Sequence, residues 1–114
     1  ANDHGWGDAY VRMLQRRGAG IGDVLLALSV GGGTDDVSLP LTRAIEYAVM
    51  PEVNMALLGI VGRDGGYLAK HAVYYVIVPT VEPSRVTPHT EAFQSVILHC
   101  LVSHPKLQRN PTKW

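Results

Sequence analysis

Gly22-Asp-Val-Leu-Leu-Ala-Leu-Ser-Val-Gly-Gly-Gly-Thr34 is the stretch whose reading decides the fold. Its apolar run, Asp23–Val30, has strand length, and an unbroken run predicts a strand covered on both faces, as in parallel sheets. Three glycines follow. Val37–Met50 then repeats apolar residues at Leu41, Ala44, Ile45, Ala48 and Val49, the spacing of a covering helix. Pro40 suits only the first turn of that helix. Strand, bare-backbone turn and helix start together make an anion site, because N–H groups converge there and glycine permits close approach. A phosphorylated small molecule is the first partner these residues suit.

Upstream, Asp8–Arg17 places Tyr10, Val11, Met13 and Leu14 at helical spacing, with Gly18 and Gly20 at its end. Downstream, Met55–Val61 reads as a second buried strand and Gly62-Arg-Asp-Gly-Gly66 as its turn. Arg63 to Gly66 are expected to be structural. A short helix over Tyr67–His71 leads to a third strand, Val73–Val78. There Tyr74 and Tyr75 alternate, one expected in the core and the other facing a helix. The three prolines between Pro79 and Pro88 predict an irregular loop. His89–His104 is the longest helical pattern, with Ala92, Phe93, Val96, Ile97, Cys100 and Leu101 on one face. His89 is expected at the helix start and His104 at the surface.

This alternation predicts an α/β fold, a three-layer α-β-α sandwich with parallel strands and right-handed crossovers. Residues 1–104 form the domain, and 105–114 a polar tail from which Trp114 can dock. Three parallel strands make a small sheet, so its completion is expected from residues preceding Ala1 or from partner chains. The chain opens without an initiator Met, as a processed product or part of something longer would.

Ten basic and ten acidic residues cancel, against the basic face an electrostatic nucleic-acid binder carries. Arg12, Arg16 and Arg17 read as a solvated face or an oligomer contact. One cysteine, Cys100, excludes an internal disulfide and suits a reducing compartment. Its place in the run Val96–Val102 predicts a buried, inert thiol. No apolar run nears the roughly 18 residues of a membrane span, and no signal peptide opens the chain, so a cytoplasmic protein is expected.

Four segments carry a resemblance: Ala1-Asn-Asp-His-Gly-Trp6, Gly22-Asp-Val-Leu-Leu-Ala-Leu-Ser29, Gly59-Ile-Val-Gly-Arg-Asp-Gly-Gly66, and Val86-Thr-Pro-His-Thr-Glu-Ala-Phe-Gln94 leading to His99. In this order they resemble the C-terminal half of the phosphoheptose (sedoheptulose 7-phosphate) isomerases of the sugar isomerase (SIS) domain superfamily. The resemblance implies a five-stranded α-β-α sandwich and a homotetramer with active sites where subunits meet. It also implies aldose–ketose isomerisation of sedoheptulose 7-phosphate to D-glycero-D-manno-heptose 7-phosphate through an enediol. No organic cofactor is implied, and zinc is the metal to consider.

Two departures from the family pattern stand out. The family's serine- and threonine-rich phosphate loop is replaced by Ser29, Val30, Gly31, Gly32, Gly33 and Thr34, with extra residues before the helix. Backbone amides must then stand in for lost hydroxyls, and Asp35 and Asp36 would repel a phosphate unless they turn away. The family's first strand, its sugar loop and the helix with the catalytic glutamate and a metal-binding histidine have no counterpart here. The 114 residues alone are therefore expected to show negligible isomerase activity.

Residue by residue, the resemblance assigns His99 as the catalytic acid/base, for which imidazole is suited. From the residues alone, a core histidine bonded to a carbonyl is the other reading. Glu91 stands where the family has a glutamine touching substrate and metal, and a carboxylate can ligate zinc. A helix-start charge is its alternative. Glu91 and His99 are eight residues apart, about 12 Å along a continuous helix. One zinc cannot take both from one such helix, so ligands from different subunits, a broken helix or a single ligand remain open. Asn2 and Asp3 match a pair that contacts sugar hydroxyls, and also suit capping before the first helix. Two further functions compete: a non-catalytic sugar-phosphate-binding SIS regulatory module, and a nucleotide-binding α/β module. The latter is disfavoured because the loop lacks Gly-x-Gly-x-x-Gly spacing and a P-loop lysine.

Overall fold

Strands β1 (Val24–Ser29), β2 (Ala56–Val61) and β3 (Tyr74–Ile77) form one parallel sheet in the order β1-β2-β3. Residues 6–34 and 38–111 are described in this computed structural model. Ser29 pairs with Val61 and Val61 with Ile77, so all three strands end together. The connections leaving them gather at the carboxyl edge of the sheet, where ligands of open parallel sheets bind.

Helices α1 (Ala9–Arg16), α2 (Leu39–Ala48), α3 (Gly66–His71) and α4 (Val86–Ser103) complete the fold, with a 3₁₀ turn at Pro83–Arg85. The core lies on one face of the sheet. Ala27, Leu57 and Val61 meet Ile45 of α2 and Leu68 of α3 there, and Leu25 and Leu41 pack against them. A second cluster, Ala48, Val53 and Met55, takes in Leu14 of α1. Gly59 faces Leu68 so closely that a Cβ would come within 2.9 Å of its Cγ, so α3 sits directly on the strand.

The opposite face is less covered than a continuous apolar run predicts. Val24 and Leu28 of β1 are exposed there; Tyr74 and Tyr75 of β3 are exposed too, Tyr75 in register with Gly59 on the core face, and neither enters the core. Only α4 crosses the opposite face among the described helices, and it touches the sheet through polar residues. Thr90 and Gln94 are its buried positions, whereas Phe93, Val96 and Leu101 of the expected apolar face are exposed, and so is Cys100. The expectation of a buried thiol is thus overturned: the apolar residues of α4 are spread around it rather than gathered on one stripe, and the Gln94 hydrogen bond and the Thr90–Gly62 contact fix the stripe it turns inward.

Pro79–Pro88 is not wholly irregular. The 3₁₀ turn and the first turn of α4 occupy its second half, and Pro88 sits third in the helix, where no N–H is needed. Pro40 falls in the first turn of α2, as its chemistry requires. Arg12, Arg16 and Arg17 are exposed. An exposed ion pair, Arg43 to Asp8 at 3.5 Å, joins α2 to the start of α1. Among the described residues, no helix is long and apolar enough to cross a membrane.

Candidate functional site

The bend after β1 and the turn after β2 interlock backbone to backbone. The Gly62 N–H donates to the Val30 carbonyl at 2.9 Å. The α3 amides of Tyr67 and Leu68 donate to the Gly33 and Gly32 carbonyls at 3.0 and 2.9 Å. A Cβ on Gly32 would overlap the Gly65 carbonyl oxygen, and one on Gly66 would overlap that of Gly31. Gly32, Gly33, Gly65 and Gly66 all hold positive φ. Glycine is needed here because two main chains touch and both curl left-handed.

This contact sets what the bend can offer an anion. The Gly32 N–H is taken by the Ser29 hydroxyl at 3.0 Å, which leaves the Ser29 proton free to be donated onward. The carbonyls of Gly32 and Gly33 are spent on α3, so they do not face a ligand. Thr34, at the end of the bend, is exposed. Asn2, Asp3, Asp35 and Asp36 lie outside the described residues.

Two clefts flank the bend. One, of 230 Å³, is lined by Ser29 and Ser38 with Trp6, Tyr10 and Pro40. Ser38 precedes α2 at φ 61°, and its hydroxyl does not cap the helix. It therefore stands at a helix N-terminus, where anions are favoured, with its side chain uncommitted to the helix. The other cleft, of 530 Å³, runs past Gly33 and Thr34 to Asp64, Tyr67, Lys70 and Tyr75. Asp64 is partly engaged, accepting from the Gly66 N–H at 3.0 Å.

Ser38 and Lys70 are absent from the sequence-derived set of site residues. A hydroxyl residue two before Pro40 is a helix-start signature that could have found Ser38. Lys70 has no such signal, because only the fold of α3 back onto the bend brings it near.

Helix α4 places the remaining candidates. Thr90 lies against Gly62, and the Gln94 Nε2 donates to the Ile60 carbonyl at 2.8 Å. Rising residue numbers on α4 thus meet falling numbers on β2, so the helix runs antiparallel to the strand. Glu91 stands at the glycine end, and His99 follows about 12 Å further along the axis, roughly level with Leu58. Both are exposed. The helix is unbroken between them, which removes a broken helix as the way to a shared metal. Among the described residues, no three His, Cys, Asp or Glu side chains converge into a metal-binding group. One chain therefore unites neither Glu91 with His99 nor His99 with the glycine bend.

No family model matches the chain. The phosphoheptose isomerase of Shewanella piezotolerans is 31% identical over 104 residues, 89% of this chain and 47% of that protein. That of Halorhodospira halophila is 31% identical over 101 residues, with the same shares. Among solved structures, the phosphoheptose isomerase from Neisseria gonorrhoeae superposes with a TM-score of 0.66 at 25% identity, covering 87% of this chain and 50% of its own. The structure from Francisella tularensis shares the fold, with a TM-score of 0.63 at 20% identity. Parallel sheet, helices and carboxyl-edge glycine bend thus define a parallel α/β protein of the fold seen in those structures. More particularly, the chain is similar in sequence to the phosphoheptose isomerases of Shewanella piezotolerans and Halorhodospira halophila over 89% of its length. It spans about half the length of the curated relatives it matches.

Proposed function

We propose that this chain supplies the phosphate-binding half and the acid/base histidine of a sugar-phosphate isomerase. The substrate is sedoheptulose 7-phosphate and the product D-glycero-D-manno-heptose 7-phosphate. The observation that carries this reading is the pairing of isomerase homology with an interlocked glycine bend at the carboxyl edge of the sheet.

The phosphate is held between Ser29, Ser38, Thr34 and the backbone of Gly31 and Gly33. Ser29 donates its free proton there, and the N-terminus of α2 contributes its positive dipole end. Lys70 lines the cleft on the other side and adds charge. Aldose–ketose exchange then moves a proton between adjacent sugar carbons through an enediol. His99 serves as the acid/base at the sugar oxygens, and Glu91 contacts the substrate. Asn2 and Asp3 are assigned to the sugar hydroxyls on the family match.

His99 lies too far along α4 to reach the bend of its own chain. On this reading the complete site lies where chains meet, in the homotetramer that the family resemblance implies. The exposed Phe93 and Val96 support such packing. Zinc does not fit the described residues of one chain. Zinc held through Glu91 or His99 needs its other ligands from elsewhere in an assembly.

A coupled assay tests the reading. His99→Ala is expected to abolish turnover of sedoheptulose 7-phosphate while binding persists. Binding with no His99-dependent turnover in the assembled native protein would favour the non-catalytic regulatory module instead.

A further inference from the structure

Arg63 is an exposed residue with φ 48°, in the left-handed region where a long side chain is strained. Its neighbours impose this conformation. Gly62 is wedged between the Val30 carbonyl and Thr90, with no room for a Cβ. Asp64 accepts from the Gly66 N–H, and the Gly65 N–H closes back on the Gly62 carbonyl at 2.9 Å. The turn would be less strained with glycine at position 63, yet it carries the largest cationic side chain.

That side chain is directed at the bend. Its Nη1 lies 3.6 Å from the point where a Cβ on Gly31 would stand. Among the described residues, the guanidinium has neither a hydrogen bond nor an ion pair. Both carboxylates nearest in sequence to the bend, Asp35 and Asp36, add negative charge to the loop. The bend itself offers an anion one backbone donor fewer, since the Gly32 N–H is taken by the Ser29 hydroxyl. A dianionic ester at Gly31 needs a cation, and an unpaired guanidinium stands there.

We propose that Arg63 is a phosphate-recognition residue: the strained turn after β2 holds its guanidinium over Gly31 to clamp the phosphomonoester of a sugar phosphate. The inference rests on the proposed phosphate site and adds a residue from a second loop to it. Guanidinium is suited to the task because its fork can donate two parallel bonds to phosphate oxygens, which an ammonium cannot. It also stands in for the donor hydroxyls that the glycine-rich bend lacks.

The test is calorimetric titration of the native protein and its variants with sedoheptulose 7-phosphate, unphosphorylated sedoheptulose and inorganic phosphate. Arg63→Ala is expected to weaken the sugar phosphate at least tenfold, to weaken inorganic phosphate likewise and to leave sedoheptulose unchanged. Arg63→Lys should recover only part of the loss. Arg63→Gly separates binding from folding: it should bind as poorly as Arg63→Ala while its thermal midpoint holds or rises. Equal affinity of the wild type and Arg63→Ala for the sugar phosphate would overturn the role of Arg63 and leave the phosphate site standing. A wild type that binds neither phosphate ligand would overturn both.

Discussion

The Gln94 side chain of α4 donates from Nε2 to the main-chain carbonyl of Ile60 at 2.8 Å, both residues being buried. This bond helps decide which stripe of the helix faces the sheet, and so where Glu91 and His99 point. Gln94→Leu keeps the volume and removes the bond. It is expected to cost about 1 kcal/mol, read from urea denaturation, with turnover falling by more than stability does. Unchanged stability would mean that α4 is positioned by other contacts.

The glycine bend predicts a contrast between two adjacent residues. Gly32→Ala places a Cβ on the Gly65 carbonyl and demands φ 76° of alanine, so it should lower stability by about 3 kcal/mol or more, or prevent folding. Gly31→Ala meets only the Arg63 guanidinium, at 3.6 Å, and should cost about 1 kcal/mol or less. Thermal denaturation of the pair measures this. Equal destabilisation would refute the interlock.

His99 is exposed and its side chain makes no hydrogen bond among the described residues. Substitution by alanine should therefore change stability by no more than about 0.5 kcal/mol. In the assembled native protein, loss of turnover at unchanged thermal midpoint is the expected pattern. A large fall in the midpoint would give His99 a structural role.

Cys100 follows His99 on the exposed side of α4 and reports on assembly. A thiol reagent should modify it in dilute protein without prior unfolding. The rate should fall as concentration drives chains together if α4 lies at the proposed interface. A rate independent of concentration, across a range where sedimentation shows association, would place the interface elsewhere.

The elements were legible in the sequence because their signals are local. The run at Val24–Ser29, the proline at position 40 and the glycines after Val61 each speak for their own segment. Cover was not legible. Val24, Leu28 and Phe93 are apolar enough for a core, but their burial depends on what lies against them, which no local pattern encodes. Polar Thr90 and Gln94 carry no local sign of being the inward stripe, because a sheet carbonyl and a bare glycine, distant in sequence, create their places. Within the site, the bend at Gly31–Gly33 could be read in advance. Its occupation by the turn after β2 could not, and Arg63 therefore read as mere turn.

The central claim is that a phosphate ester binds at the bend after β1, and amide NMR tests it most directly. Titration of isotopically labelled protein with sedoheptulose 7-phosphate is predicted to shift the amides of Gly31, Gly33, Thr34 and Ser38 most, with unphosphorylated sedoheptulose leaving them in place. Shifts confined to residues remote from the bend, or none at millimolar ligand, would contradict it.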